Sequence, residues 1–230
     1  TLPGGSDPEQ FSVHPDGSKV YVSNEDAATA TVLDVESGEV LATVPVGVEP
    51  EGVAITPDGR FVYVSAETDH TITVIDTETN QPVATFDVGN RPRAIAFSPD
   101  ASRAYVTTEL GGTLEVVDAQ AHRVLDTITI EGENVKPMGV VVSPDGDRVY
   151  VATGRGQSVA VIDPAAKQVV QTIPVGQRPW GIALTPDGSK LYAANGPGDD
   201  VSVVDVETGE VVDTVPAGEG PWGVAVGPAI

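Results

Sequence analysis

Apolar residues along this chain come in short runs, each closed by a turn signal, and the runs recur with a period of about 42 residues. In the second repeat they predict four strands: A over Gly52 to Thr56, B over Arg60 to Ala66, C over Thr71 to Asp76 and D over Gln81 to Val88. Strand A is apolar at successive positions, as in Val53-Ala54-Ile55 and Val140-Val141-Val142. That is the pattern of a strand covered on both faces, so A is expected to be the innermost strand of a blade stacked between two others. No segment longer than a few residues carries a 3.6-residue period, and essentially no helix is expected.

The turns repeat as regularly as the strands. Pro15-Asp16-Gly17, Pro57-Asp58-Gly59, Pro99-Asp100-Ala101, Pro144-Asp145-Gly146 and Pro186-Asp187-Gly188 stand at spacings of 42, 42, 45 and 42 residues. Pro presets φ, Asp bonds its own backbone, and Gly takes the left-handed conformation that closes a hairpin; Ala101 is the misfit. A second turn follows strand C, where Gly38, Asn80, His122, Lys167 and Gly209 fall four residues after a recurring Asp and are expected to be left-handed. All five Tyr residues, Tyr21, Tyr63, Tyr105, Tyr150 and Tyr192, occupy one register, which argues for packing.

Four-stranded units in radial array are the propeller solution to exposed sheet edges, so the fold class is all-β, a β-propeller of four-stranded antiparallel blades. The array is read as one domain, residues 1–230, with repeats over about 9–50, 51–92, 93–137, 138–179 and 180–221 and a partial one over 222–230. Val20-Tyr21-Val22-Ser23-Asn24, Val62-Tyr63-Val64-Ser65, Val149-Tyr150-Val151 and Leu191-Tyr192-Ala193-Ala194-Asn195, with the Pro-Asp-Gly turns around them, carry a resemblance to the YVTN-type β-propeller repeat family. The resemblance implies closed rings of about seven blades and roles as diverse as surface-layer proteins, periplasmic binding modules and redox-enzyme subunits. Against it, five complete units are present, Thr1-Leu2-Pro3-Gly4 matches the end of a D strand, and Trp222 to Gly227 matches an A strand. An A strand alone leaves an unpaired edge, so pairing with another chain or an open ring is expected there.

Charge and composition narrow the partners. With 34 Asp plus Glu against 12 Lys plus Arg, the net charge of −22 repels phosphate backbones, and no nucleic-acid role is expected. No apolar run is long enough for a membrane span, so no membrane insertion is expected. The absence of Cys excludes disulfides, thiolate metal sites and haem attached through Cys-x-x-Cys-His. The acid excess suits an extracytoplasmic setting: secreted, periplasmic or at the cell surface.

Candidate chemistry lies where the repeat frame stays constant and the residue changes. After the proline of each D-to-A link stand Glu9, Glu51, Arg93, Met138, Trp180 and Trp222; two places earlier stand Asp7, Glu49, Arg91, Lys136, Arg178 and Gly220. These loops precede the innermost strand and are expected to surround the mouth of a central channel. Arg91, Arg93, Lys136, Met138, Arg178, Trp180 and Trp222 are therefore the candidate binding residues, for a small anionic ligand or a protein partner. Glu9 and Glu51 are candidate ligands for a hard cation such as Ca²⁺, as in lactonase-like propellers; otherwise no cofactor is expected. No phosphate loop or nucleophile elbow is present. The expected function is an extracytoplasmic binding module more than an enzyme, the alternative being a metal-dependent lactonase-like hydrolase or a subunit of a redox enzyme complex.

Overall fold

The computed structural model describes residues 3–227. It is all-β, with twenty strands in five four-stranded antiparallel sheets. The first sheet holds β1 (Pro8–Val13), β2 (Lys19–Asn24), β3 (Thr29–Asp34) and β4 (Val40–Pro45), and the second β5 (Pro50–Ile55), β6 (Phe61–Ala66), β7 (Thr71–Asp76) and β8 (Gln81–Asp87). The third holds β9 (Pro92–Phe97), β10 (Arg103–Thr108), β11 (Thr113–Asp118) and β12 (Arg123–Thr129). In the fourth are β13 (Val140–Val142), β14 (Val149–Ala152), β15 (Ser158–Asp163) and β16 (Gln168–Pro174); in the fifth, β17 (Pro179–Leu184), β18 (Lys190–Asn195), β19 (Asp200–Asp205) and β20 (Glu210–Pro216). Each sheet keeps sequence order, every strand hydrogen-bonded to its neighbour in the chain. The strands expected in the second repeat fall within two residues of β5 to β8.

The chain divides into two compact units, one of Thr1–Gly111 with Glu115–Thr127 and one of Gly112–Leu114 with Ile128–Ile230. In the first unit the core lies between sheets: Tyr21, Val32, Val44, Val53, Val62 and Ile75 form one cluster, and Tyr63, Ile72, Val74, Ile95, Val106 and Val117 the next. In the second unit Met138, Tyr150, Val159, Ile173, Ile182 and Leu191 do the same. Strands β5 and β9 begin buried on both faces, whereas every residue of β20 is exposed, so in those repeats the first strand is inner and the last outer; β1 has no buried residue.

The turn chemistry holds in detail. Gly17, Gly59, Gly146 and Gly188 have φ of 76°, 75°, 80° and 71°, and Ala101 sits in the same left-handed region at 57°. Gly38, Asn80, His122, Lys167 and Gly209 are left-handed as well. Two further left-handed positions were not foreseen: Ala28, His70, Gly112, Gln157 and Asp199 between the second and third strands, and Asp7, Glu49, Arg91, Arg178 and Gly220 directly before the link proline. Tyr21, Tyr63, Tyr105 and Tyr150 are buried; Tyr192 is partly so.

One expectation is corrected. Trp222 to Gly227, read as an A strand, has no strand structure, because no second strand pairs with it among the described residues. Its one ladder-like contact is the Trp222 carbonyl accepting from Gly181 N at 2.9 Å. Of the segment read as the end of a D strand, Thr1 and Leu2 lie outside the described residues, and Pro3 and Gly4 form no strand.

Candidate functional site

In the first unit the residues after the link prolines meet carboxylates from the loops that follow strand B. Arg93, only 9% exposed, places Nη1 3.0 Å from Glu51 Oε1 and Nη2 2.9 Å from Glu109 Oε2, and Nη1 also pairs with Glu67. Arg91 donates from Nε to Glu67 Oε2 at 2.6 Å and lies 3.3 Å from Glu109. The backbone is fastened at the same points: the Glu51 carbonyl accepts from Ser23 Oγ at 2.6 Å, and the Arg93 carbonyl from Ser65 Oγ at 2.7 Å. These side chains are therefore positioned by the innermost strands, with hydroxyls of the preceding sheet holding them in place.

Burial sets the protonation of this cluster. It pushes the Glu51 carboxyl up to about 7, against the Arg93 guanidinium, which favours its ionised form; Glu67 and Glu9 add repulsion. Glu67 is raised by burial too, with Arg93 and Arg91 opposing. Burial likewise raises Glu9, helped by its hydrogen bond to Glu25 and by the charges of Glu25 and Asp7. Glu9 and Glu51, proposed together as cation ligands, feel each other's charge but differ in the groups they touch. Asp7, Glu9 and Glu25 bring ligand atoms within 4.8 Å of one another, while Glu51 is held by Arg93. A cation at Glu51 would displace a guanidinium already in contact, so the pair as it stands does not fit a shared ion.

In the second unit the same register carries different chemistry. Met138 is buried in the core, and Trp180 packs against that cluster. The Trp180 and Trp222 rings meet edge to face with centroids 3.9 Å apart, and the Arg178 guanidinium stands over the Trp180 ring at 4.7 Å. Trp222 is 64% exposed. Lys136 lies in the repeat lengthened by three residues, where Asn134 is left-handed and Lys136 is not; its backbone N donates to Thr153 O at 2.9 Å. Of the candidate binding residues, Arg178, Trp180 and Trp222 come together at a surface, Arg91 and Arg93 are engaged by carboxylates, and Met138 is core.

Sequence reasoning missed Glu25, Glu67 and Glu109, which stand four residues after the repeat Tyr; in the last two repeats that place is taken by Gly154 and Gly196. This alternation of Glu and Gly was the available signal. It has a steric meaning: a Cβ on Gly154 would come 3.1 Å from Met138 Cγ and 2.6 Å from the Lys136 carbonyl, so a bulky apolar residue after the proline is matched by Gly in the loop.

The family model described as lactonase, 7-bladed beta-propeller, matches residues 2–83 and 75–227. The chain belongs to this family. As a lactonase-type propeller it shows five sheets among its described residues. Among solved structures it is similar to Kuenenia stuttgartiensis hydrazine synthase, with 21% identity and a TM-score of 0.72 over 97% of this chain and 90% of that chain. That likeness shows the fold alone. Among curated proteins no relative matches. No helix among the described residues is long and apolar enough to cross a membrane.

Proposed function

We propose that this member of the lactonase-type propeller family is a binding module of the YVTN type, working outside the cytoplasm. Through Arg178, Trp180 and Trp222 it engages an anionic ligand or an acidic segment of a partner protein. The observation that carries the reading is the exposed Trp222 ring against Trp180, with the Arg178 cation stacked beside them. Trp and Arg at the surface of a rigid scaffold are the residue types that anchor interfaces. The acid excess supports the extracytoplasmic setting. The test is recovery of a partner on the immobilised chain. Arg178→Ala and Trp222→Ala should each weaken retention about 30-fold, the equivalent of ~2 kcal/mol, while His14→Ala on a turn of the opposite strand ends should not. Retention that survives the first pair and fails with His14→Ala places the function on the other face.

A second reading, hydrolysis of a lactone or related ester, is favoured by one feature: a buried carboxyl poised near neutrality beside a guanidinium. Glu51 would take a proton from water as the water oxygen bonds to the carbonyl carbon, Arg93 would stabilise the developing oxyanion, and the proton would return from Glu51 to the ring oxygen as the ring C–O bond breaks. Turnover of a simple lactone that is abolished by Glu51→Gln supports it; turnover unchanged in that variant removes it. Loss of turnover on chelation would instead bring back the cation at Glu9, Asp7 and Glu25.

A further inference from the structure

The repeat Tyr of one sheet faces the left-handed turn residue of the next, and in the first unit the chain fills that cleft with its own side chains. Between the first two sheets, Tyr21 donates to Asn80 Oδ1 at 3.1 Å, and the Lys19 ammonium spans the cleft to the Thr77 carbonyl at 2.6 Å and to Asn80 Oδ1 at 3.5 Å. Between the second and third, the Tyr63 hydroxyl lies 2.6 Å from His122 Nδ1, with the Phe61 ring edge-on to His122.

In the second unit the equivalent residues are Arg148, Tyr150, Val206 and Gly209, and the cleft is open. Gly209 has no side chain to offer the Tyr150 hydroxyl, which makes no hydrogen bond to any of the described residues. Arg148 does not cross as Lys19 does; its Nη1 turns back to the Asp147 carbonyl at 2.7 Å and to Asp163 Oδ2 at 3.3 Å. A cavity of about 540 Å³ lies here, lined by Arg148, Tyr150, Gln171, Val206 and the turn carboxylates Asp145 and Asp187, with Val161 and Val170 as apolar wall. The carbonyl equivalent to that of Thr77 belongs to Val206. A carboxamide equivalent to that of Asn80 is at hand too: a Cβ on Gly209 would lie 2.0 Å from Gln171 Nε2, so the Gln171 side chain rests against the turn. In the first sheet the place of Gln171 is held by Ala42.

We infer that this cavity binds a primary alkylammonium, set between the Tyr150 hydroxyl, the Val206 carbonyl and the Gln171 carboxamide, as Lys19 is set in the first unit. The valines accommodate a methylene chain. Both turn carboxylates are ionised at neutral pH, Asp187 being held at about 2 by the hydroxyls of Thr185 and Ser189 and the Ser189 amide, and Asp145 lowered by Ser143 and the Asp147 amide. Arg148 lines the cavity as well, bonded to Asp163, so two carboxylates and one guanidinium face it and the balance is negative, which favours a cation. A small diamine and a lysine side chain share this chemistry.

The experiment titrates the chain with 1,5-diaminopentane and, separately, with Nα-acetyl-lysine amide, by calorimetry at physiological salt. One saturable site is expected. Tyr150→Phe keeps the ring and its packing and should weaken binding about tenfold, the loss of one hydrogen bond to a charged group. The double change Gln171→Ala with Gly209→His rebuilds the closed cleft of Tyr63 and His122, His being accepted at the left-handed φ where His122 has 51° and Gly209 68°; it should abolish binding while the melting transition is kept. Tighter binding of the diamine assigns a small-molecule ligand, and tighter binding of the lysine amide assigns a lysine side chain. No saturable binding of either, or binding that both variants retain, overturns the inference.

Discussion

Arg93 in the first unit and Trp180 in the second stand at one register of the same repeat, each directly after a link proline, yet they serve opposite ends. Arg93 is buried and holds Glu51, Glu67 and Glu109 within one cluster; Trp180 joins Trp222 and Arg178 at a surface. What differs is the loop after strand B. Where it supplies Glu109, the residue after the proline is Arg93, whose guanidinium also pairs Glu51 and Glu67 of the preceding repeat. Where it supplies Gly154, the vacated volume admits Met138; in the last repeat Gly196 accompanies Trp180. A propeller scaffold can thus build a charged interior or an aromatic surface from the same frame by changing two residues 16 apart, as Arg93 and Glu109 are.

The sharpest way to break this comparison is Arg93→Met, which leaves Glu51 buried without its guanidinium and Glu67 and Glu109 with Arg91 alone. It should cost about 3–5 kcal/mol at pH 8 in urea unfolding, the usual penalty for removing one partner of a buried ion pair. A cost under about 1 kcal/mol would mean the cluster is solvated and the contrast false.

Next in size is the pH dependence carried by Glu51. Its carboxyl is raised from 4.5 to about 7 in the folded state, so between those pH values the folded protein keeps a proton that the unfolded chain releases. The contribution of Glu51 to stability is therefore full below pH 4.5 and is lost as pH rises through 7. The decline is on the order of 3 kcal/mol at 1.36 kcal/mol per pH unit. Glu51→Gln cannot ionise and should flatten that limb of the stability profile; an unchanged slope assigns it to other groups.

The two Trp residues should separate by measurement as they do by burial. Trp180→Ala, losing contacts with the core cluster around Met138, should cost about 2 kcal/mol, while Trp222→Ala should stay within about 0.5 kcal/mol and affect binding alone. Equal losses would show that the exposed ring is part of the packing. The smallest effect lies in the turns: Ala101→Gly should stabilise by roughly 0.5–1 kcal/mol, since only this Pro-Asp turn places a Cβ at a left-handed residue, φ 57°. A melting temperature lowered by the change would mean that packing of the buried Ala101 methyl outweighs the backbone strain.

Much of this molecule was legible from the chain because its determinants are local. A hairpin is set by a few neighbouring residues, so Pro-Asp-Gly turns, the second left-handed turn residue and the alternation of apolar runs located the strands to within two residues in the second repeat. The left-handed residue before each link proline was not legible, since a residue before proline ordinarily avoids that region, and only Gly220 and Asp7 hinted at it. The Arg residues looked like a cationic surface because the sequence shows how many charges exist and not which ones meet.

Strand order within each blade and the turns after strands A and C were thus settled by the order of residues alone, because each depends on contacts a few positions apart. The pairing of Arg93 with Glu51 and Glu67, the meeting of Trp180 with Trp222, and the cavity beside Tyr150 were decided only when separate parts of the chain packed. Burial and charge pairing depend on the distance between side chains that the chain keeps 16 to 59 residues apart, and packing alone sets that distance.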